Sequence, residues 1–328
     1  MQAWLPYDIP FAVRRFLDRF KPRAGLLVET ELWPNLTAAA TRRHVPLLLI
    51  NARLSERSAR GYRRVASLSR QLFGALAGVA AQSEADANRL RELGAQHVVV
   101  TGNLKFDITV TAAQRKRGAA LREMFGADRP VLMLASTRDG EEVLLLDALA
   151  RKDVLPATTL VVVVPRHPQR FDAVAALLDE RHVPHARRSA NVPVDPSTRV
   201  VLGDSLGEML AYYGASDVAF VAGSLLPLGG QNLIEPIAVG VPALIGPHMF
   251  NFAEASDAAV AAGAAIRVRD ADELLAMAAR LLGDRAERER MHSNAQTFIA
   301  AHRGAIDRLW AWLAPRLAAV DRGGSRSR

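Results

Sequence analysis

The sequence has 328 residues, half of them hydrophobic, and is broken often by 22 Gly and 17 Pro; two domains is the expectation for a chain of this length. It has no Cys, which excludes a disulfide framework, a thiol nucleophile and a thiolate zinc site. The net charge is +8 and 38 of the 42 basic residues are Arg, a surface suited to phosphates and anionic headgroups; the few aromatics are not interleaved with it as a nucleic-acid stacking groove requires.

Met1 is followed by Trp4, Pro6 and Asp8, with no basic region leading into an apolar one, so the opening does not read as a signal peptide. No apolar run reaches bilayer length. An extended segment, 4–8, leads into a basic helix over 11–20. Arg14, Arg15, Arg19, Lys21 and Arg23 stand against Phe11, Phe16, Leu17 and Phe20. Such a helix either lies on anionic lipid or packs its Phe face onto a core.

Strand patterns follow at 26–30, 45–51, 78–83 and 98–102. After a charged break come 131–137, 160–165, 200–204, 218–222 and 243–246, with helical patterns at 84–93, 141–151, 171–181 and 251–262. The strands are apolar throughout, which predicts parallel sheets covered on both faces. The first half has four strands and no opening βα unit, leaving a sheet edge uncovered. The reading is an α/β chain with an incomplete N-terminal domain at 1–107, a linker at 108–128, a C-terminal domain with a long final helix at 129–318, and a disordered Gly/Ser/Arg-rich tail at 319–328.

Five strand ends carry candidate chemistry, at the edge where open α/β sheets bind ligands. Glu29 and Glu31 stand one residue apart in an extended segment and point to one side. There they either serve a sugar and a transition state or cap the helix beginning near Pro34. Lys105, in Gly102-Asn103-Leu104-Lys105-Phe106-Asp107, either neutralises a departing anion or makes a structural ion pair with Asp107 or across the domains. Arg166, between Pro165 and His167, can grip a phosphate bidentately. The turn Gly203-Asp204-Ser205-Leu206-Gly207-Glu208 opens a helix and offers backbone N–H groups to an anion or a base edge, or is an ordinary cap.

The segment Gly223–Pro236 is the strongest of the five. Its glycine pair, Gly229-Gly230, permits close backbone approach to a ligand. A helix beginning near Asn232, Leu233 and Ile234 offers N–H donors to a phosphate, and Glu235 can accept from two ribose hydroxyls. The competing reading is a capping box of Asn232 with Glu235.

Together these segments resemble the transferases of 3-deoxy-D-manno-octulosonic acid (Kdo), a family of GT-B glycosyltransferases. The resemblance runs from Leu5-Pro6-Tyr7-Asp8 through Glu29-Thr30-Glu31-Leu32-Trp33-Pro34-Asn35-Leu36, Asn51-Ala52-Arg53-Leu54-Ser55, the Lys105 segment and Pro165-Arg166-His167-Pro168. It continues to Gly229-Gly230-Gln231-Asn232 and Gly246-Pro247-His248-Met249-Phe250-Asn251-Phe252. It implies two Rossmann-like domains facing a cleft, with a C-terminal helix over 285–317 packing back. It implies inverting, metal-independent transfer from CMP-Kdo, a donor substrate and not a cofactor, to the lipid A precursor (lipid IVA). The location implied is the cytoplasmic face of the inner membrane, in lipopolysaccharide synthesis.

By the same resemblance Pro165, Arg166, Leu206, Gly207, Glu208, Asn232, Leu233, Ile234 and Glu235 contact CMP, and Glu29 and Lys105 stabilise the transition state. The family's membrane anchor and the glutamate proposed as its base precede the point where this sequence opens, so the chain is read as truncated at its start. A non-catalytic CMP-sugar-binding relic and a GT-B enzyme using a UDP-sugar are the alternatives.

Overall fold

The computed structural model describes residues 3–151 and 154–325, the side chains of 321–325 excepted. The chain divides into two compact units, Met1–Asp107 with His302–Arg328, and Ile108–Ala301. All nine expected strands form and every pairing is parallel.

The first unit holds β1 (Gly25–Val28), β2 (Leu47–Ala52), β3 (Gly78–Ala81) and β4 (Val98–Val100), side by side in chain order. Successive side chains alternate between faces. Leu47, Leu49, Val79 and Ala81 meet the crossover helices through Ala40, Leu72, Phe73 and Leu90. Leu48 and Ala80, on the other face, meet Leu309, Trp312 and Leu313.

Those three residues lie on one stripe of the helix Ala305–Ser325. The single C-terminal helix expected over 285–317 is therefore two helices, Arg285–His302 and Ala305–Ser325, broken at Gly304 with φ 83°. The second belongs to the first unit, because its Trp312 stripe covers that sheet. Gly78 makes room for it: a Cβ there would lie 2.9 Å from Trp312 Cζ2. The helix also continues through 319–325, where a disordered tail was expected; once nucleated, each added residue gains a backbone hydrogen bond. Residues 326–328 of that expected tail lie outside the described residues. β1 is the outer strand of the sheet, and its Leu26 and Val28 are exposed.

In the opening helix, Pro10–Phe20, Val13 and Leu17 are buried against Leu36 and Ala39, while Phe11 stays 67% exposed. No helix among the described residues is long and apolar enough to cross a membrane.

The second unit holds β5 (Val131–Thr137), β6 (Leu160–Pro165), β7 (His185–Arg187), β8 (Val200–Leu202), β9 (Val218–Val221), β10 (Ala243–Ile245) and β11 (Ala265–Arg267). Their order across the sheet is β11-β10-β9-β5-β6-β8-β7. Leu132, Leu134, Val161, Val163 and Phe220 pack on one face against the helices Glu141–Arg151, Phe171–Glu180 and Ala271–Gly283. Met133, Val162, Val164 and Ala219 pack on the other against Leu121 and Phe125. Those two residues belong to the helix Ala112–Phe125, so most of the segment read as a linker is a helix built into this unit. It packs at glycine contact, Gly118 against Gly214.

The sequence missed β7 and β11. Both are three-residue edge strands ending in Arg, and short polar edges carry little periodic signal.

Candidate functional site

In the first unit, Glu29 leaves β1 with a left-handed backbone, φ 61°, its N–H held by the Ile50 carbonyl at 3.0 Å. Non-glycine residues adopt that conformation rarely, and when they do it often marks a working site. Lys105 Nζ lies 2.9 Å from Glu29 Oε1, both side chains a little over one-third exposed. Lys105 sits on the turn Leu104–Asp107, which Asn51 fixes by accepting the Leu104 N–H at 3.1 Å. Asn51 is buried and itself left-handed, with φ 49°.

Two sequence expectations change here. Glu29 faces Lys105, whereas Glu31 accepts from Trp33 Nε1 at 2.9 Å. Neither caps the helix Pro34–Arg42. Asp8 does, taking the N–H groups of Asn35 and Leu36 at 2.9 and 2.8 Å. Nor does Asp107 pair with Lys105, since its carboxylate caps the last helix through the N–H groups of Gly304 (2.6 Å) and Ile306 (2.5 Å). A cavity of about 290 Å³ opens beside Glu29, lined also by Arg53, Ser55, Ser58 and Tyr62.

In the second unit, the strand order reverses between β5 and β9. In open α/β sheets that is where ligands bind, outside the carboxyl ends. Arg166 follows β6 there. Its backbone N–H is held by Thr137 O at 2.9 Å and its exposed guanidinium donates to Gln231 Oε1 at 3.2 Å. Pro165 is the buried last residue of β6, and His167 is exposed.

Next along the edge, after β8, Leu206 is 74% exposed and Gly207 has φ 76°. Glu208 is not free. It accepts from Ser205 Oγ at 2.6 Å and lies 3.3 Å from Arg188. The same Ser205 hydroxyl is 2.6 Å from Tyr212 OH, a phenol whose pKa burial pushes far up.

The glycine pair serves the protein itself. A Cβ on Gly229 would collide with Asn251 and Phe250, and one on Gly230 with Met249. The Gly229-Gly230 and Gly246–Phe252 segments thus require each other.

The helix that follows is only Ile234–Val239. Asn232 Oδ1 already accepts the Ile234 N–H at 3.1 Å, so its start offers fewer open donors than expected. Leu233 and Ile234 are fully buried. Glu235 accepts from Asn232 Nδ2 at 3.0 Å, and burial raises its pKa against the opposing effects of Asn232 and the Arg166 charge.

Sequence reasoning missed Glu141. It is fully buried, and its carboxylate accepts from the N–H groups of Gly223, Ser224 and Leu225 at 2.6, 3.0 and 3.1 Å. The available signal was two consecutive carboxylates, Glu141-Glu142, opening a helix directly after an apolar strand.

Residues 1–108 match the family described as 3-deoxy-D-manno-octulosonic-acid transferase (kdotransferase). The chain is 47% identical to the 3-deoxy-D-manno-octulosonic acid transferase of Bordetella pertussis, over 95% of this chain and 74% of that protein. It is 36% identical to that of Haemophilus influenzae, over 96% and 74%.

Among solved structures, the C-terminal CMP-Kdo binding domain of WaaA from Acinetobacter baumannii is 34% identical, with TM-score 0.54. That match covers 58% of this chain and 99% of that one. Anabaena Alr3699/HepE in complex with UDP is 16% identical, with TM-score 0.60 over 94% of this chain and 82% of that one, a likeness of fold that is GT-B in type. At 47% identity over nearly its whole length, and with the site segments in place, the chain belongs to the Kdo transferase family of glycosyltransferases.

Proposed function

We propose that the chain transfers Kdo from CMP-Kdo to the lipid A precursor, lipid IVA, in an inverting, metal-independent reaction of lipopolysaccharide synthesis. The observation that carries the donor assignment is the 34% identity to a CMP-Kdo binding domain that is matched over 99% of its length. The chemistry of the second unit agrees with it. Arg166 supplies a planar double donor for the single phosphate. Glu235, held by Asn232, supplies acceptors for two ribose hydroxyls. Exposed Leu206 and left-handed Gly207 offer an open surface for a base.

Glu29 and Lys105 take the role of stabilising the transition state. Their mutual contact keeps the lysine charge oriented without burying it. The reaction uses no cofactor, and inversion rests on the family resemblance alone.

The chain works at the cytoplasmic face of the inner membrane. Supporting this are Trp4, Tyr7 and Phe11, exposed beside Arg14, Arg15 and Arg19, a combination suited to an anionic interface.

Titration calorimetry with CMP and UDP, followed by a transfer assay with CMP-Kdo and lipid IVA, tests the reading. CMP preferred with turnover is the expected result. CMP binding without turnover would leave a donor-binding protein only, and a preference for UDP would overturn the donor assignment.

A further inference from the structure

The carboxylate of Glu141 is fully buried, at 0% exposure, at the start of the helix Glu141–Arg151 that follows β5. A buried charge is costly unless every lone pair finds a donor. This one finds four backbone N–H groups on two loops: Arg138 (3.2 Å) beside it, and Gly223, Ser224 and Leu225 after β9. β5 and β9 are the two strands that flank the reversal of sheet order.

The tether continues toward the donor residues. Gly230 and Gln231 close the β9 loop by donating to the Gly223 and Ala222 carbonyls at 2.7 and 3.0 Å. Gln231 Oε1 then accepts from Arg166. In the other direction, Ser224 Oγ accepts the Gly246 N–H at 2.8 Å, and Ser224 O accepts the His248 N–H at 2.9 Å. A run of successive N–H groups of this kind is an anion nest. Here the protein fills it with its own carboxylate.

We infer that Glu141 is a positioning residue for the donor nucleotide. It pins the start of the Gly223–Glu235 loop so that Gln231, Arg166 and the Asn232–Glu235 pair stand in register. It also withholds the Gly223–Leu225 donors from the donor's phosphate, which is left to Arg166. This role rests on the CMP reading above.

The test compares the whole protein with its Glu141→Gln variant, which keeps the shape and removes the charge. Calorimetry with CMP, amide hydrogen exchange and the transfer assay are the readouts. The wild type binds CMP. The variant, whose amide NH2 faces two of the backbone N–H donors, melts lower, binds CMP about tenfold or more weakly, as loss of a charged hydrogen-bond set predicts, and exchanges faster across 223–231. In turnover its donor KM rises and its acceptor KM does not.

Unchanged CMP affinity in a folded variant would overturn the role, even with faster exchange. Should the variant not fold, the wild type decides. Amides of Gly223, Ser224 and Leu225 already slow without CMP and unaltered by it support the role. Amides that exchange freely until CMP protects them would show that the nest takes the phosphate, and would overturn it. A wild type that binds no CMP removes the donor reading itself.

Discussion

Lys105 Nζ and Glu29 Oε1 stand 2.9 Å apart at the carboxyl edge of the first sheet, joined by residues 76 positions apart in the chain. The pair is too exposed to matter much for stability; such pairs contribute about 0–1 kcal/mol. Its geometry instead depends on two left-handed residues, Glu29 and Asn51, and on the Asn51–Leu104 hydrogen bond. Lys105→Ala and Glu29→Gln are therefore expected to melt within a few degrees of the wild type while lowering kcat roughly 100-fold or more, the scale for removing a transition-state donor. Thermal melts and product analysis by mass spectrometry check both halves.

Arg166 is expected to act on the phosphate alone. Arg166→Ala should weaken CMP binding by about 10- to 100-fold, the scale of a lost charge-assisted pair, and leave the weaker binding of cytidine as it was. Arg166→Lys should recover only part, because an ammonium lacks the planar fork. Calorimetry with the two ligands separates these outcomes; equal losses for both would place Arg166 elsewhere.

If Glu235 holds the donor ribose as proposed, donor binding has an acid limit. Burial raises its pKa above the ordinary 4.5, so the neutral form persists to higher pH than for an exposed glutamate. The ionised form is the one that accepts from two hydroxyls. Binding is then complete above the raised pKa and falls as pH drops through it, at higher pH than for an exposed glutamate. CMP affinity measured from pH 8 to pH 5 should decline on the acid side, and Glu235→Gln should be weaker throughout and flatter with pH.

Trp312 covers the first sheet where Gly78 makes room. Trp312→Ala leaves a cavity under Leu48 and Ala80 and should cost about 3–5 kcal/mol. Gly78→Ala meets the indole at 2.9 Å and should cost about 1–3 kcal/mol by overpacking. Urea unfolding followed by indole fluorescence reads both, with CMP affinity as the control for the second unit.

Asp8 caps a helix whose first turn lies 27 residues away in sequence. Asp8→Ala should destabilise the protein by about 1 kcal/mol, and Asp8→Asn by less, since an amide oxygen can still accept one of the two N–H groups. A midpoint unchanged in both variants would remove the cap from the account.

Strand identity, parallel pairing and the family were legible in the sequence because each rests on local pattern. Residues 131–135 and Leu160–Pro165 are apolar at every step, which only a sheet covered on both faces tolerates. The motifs lie at strand ends where the fold brings Arg166 to Gln231 and Lys105 to Glu29. Which partner each polar group takes was decided by tertiary structure alone. The sequence offered Asp107 to Lys105 and Glu31 to a helix cap. The folded chain assigns Asp107 to the final helix and Asp8 to the cap. The reason is physical: apolar periodicity is written residue by residue, whereas a carboxylate is satisfied by whichever N–H the fold delivers. Glu141, buried beneath three amides some 80 positions away, is the clearest case.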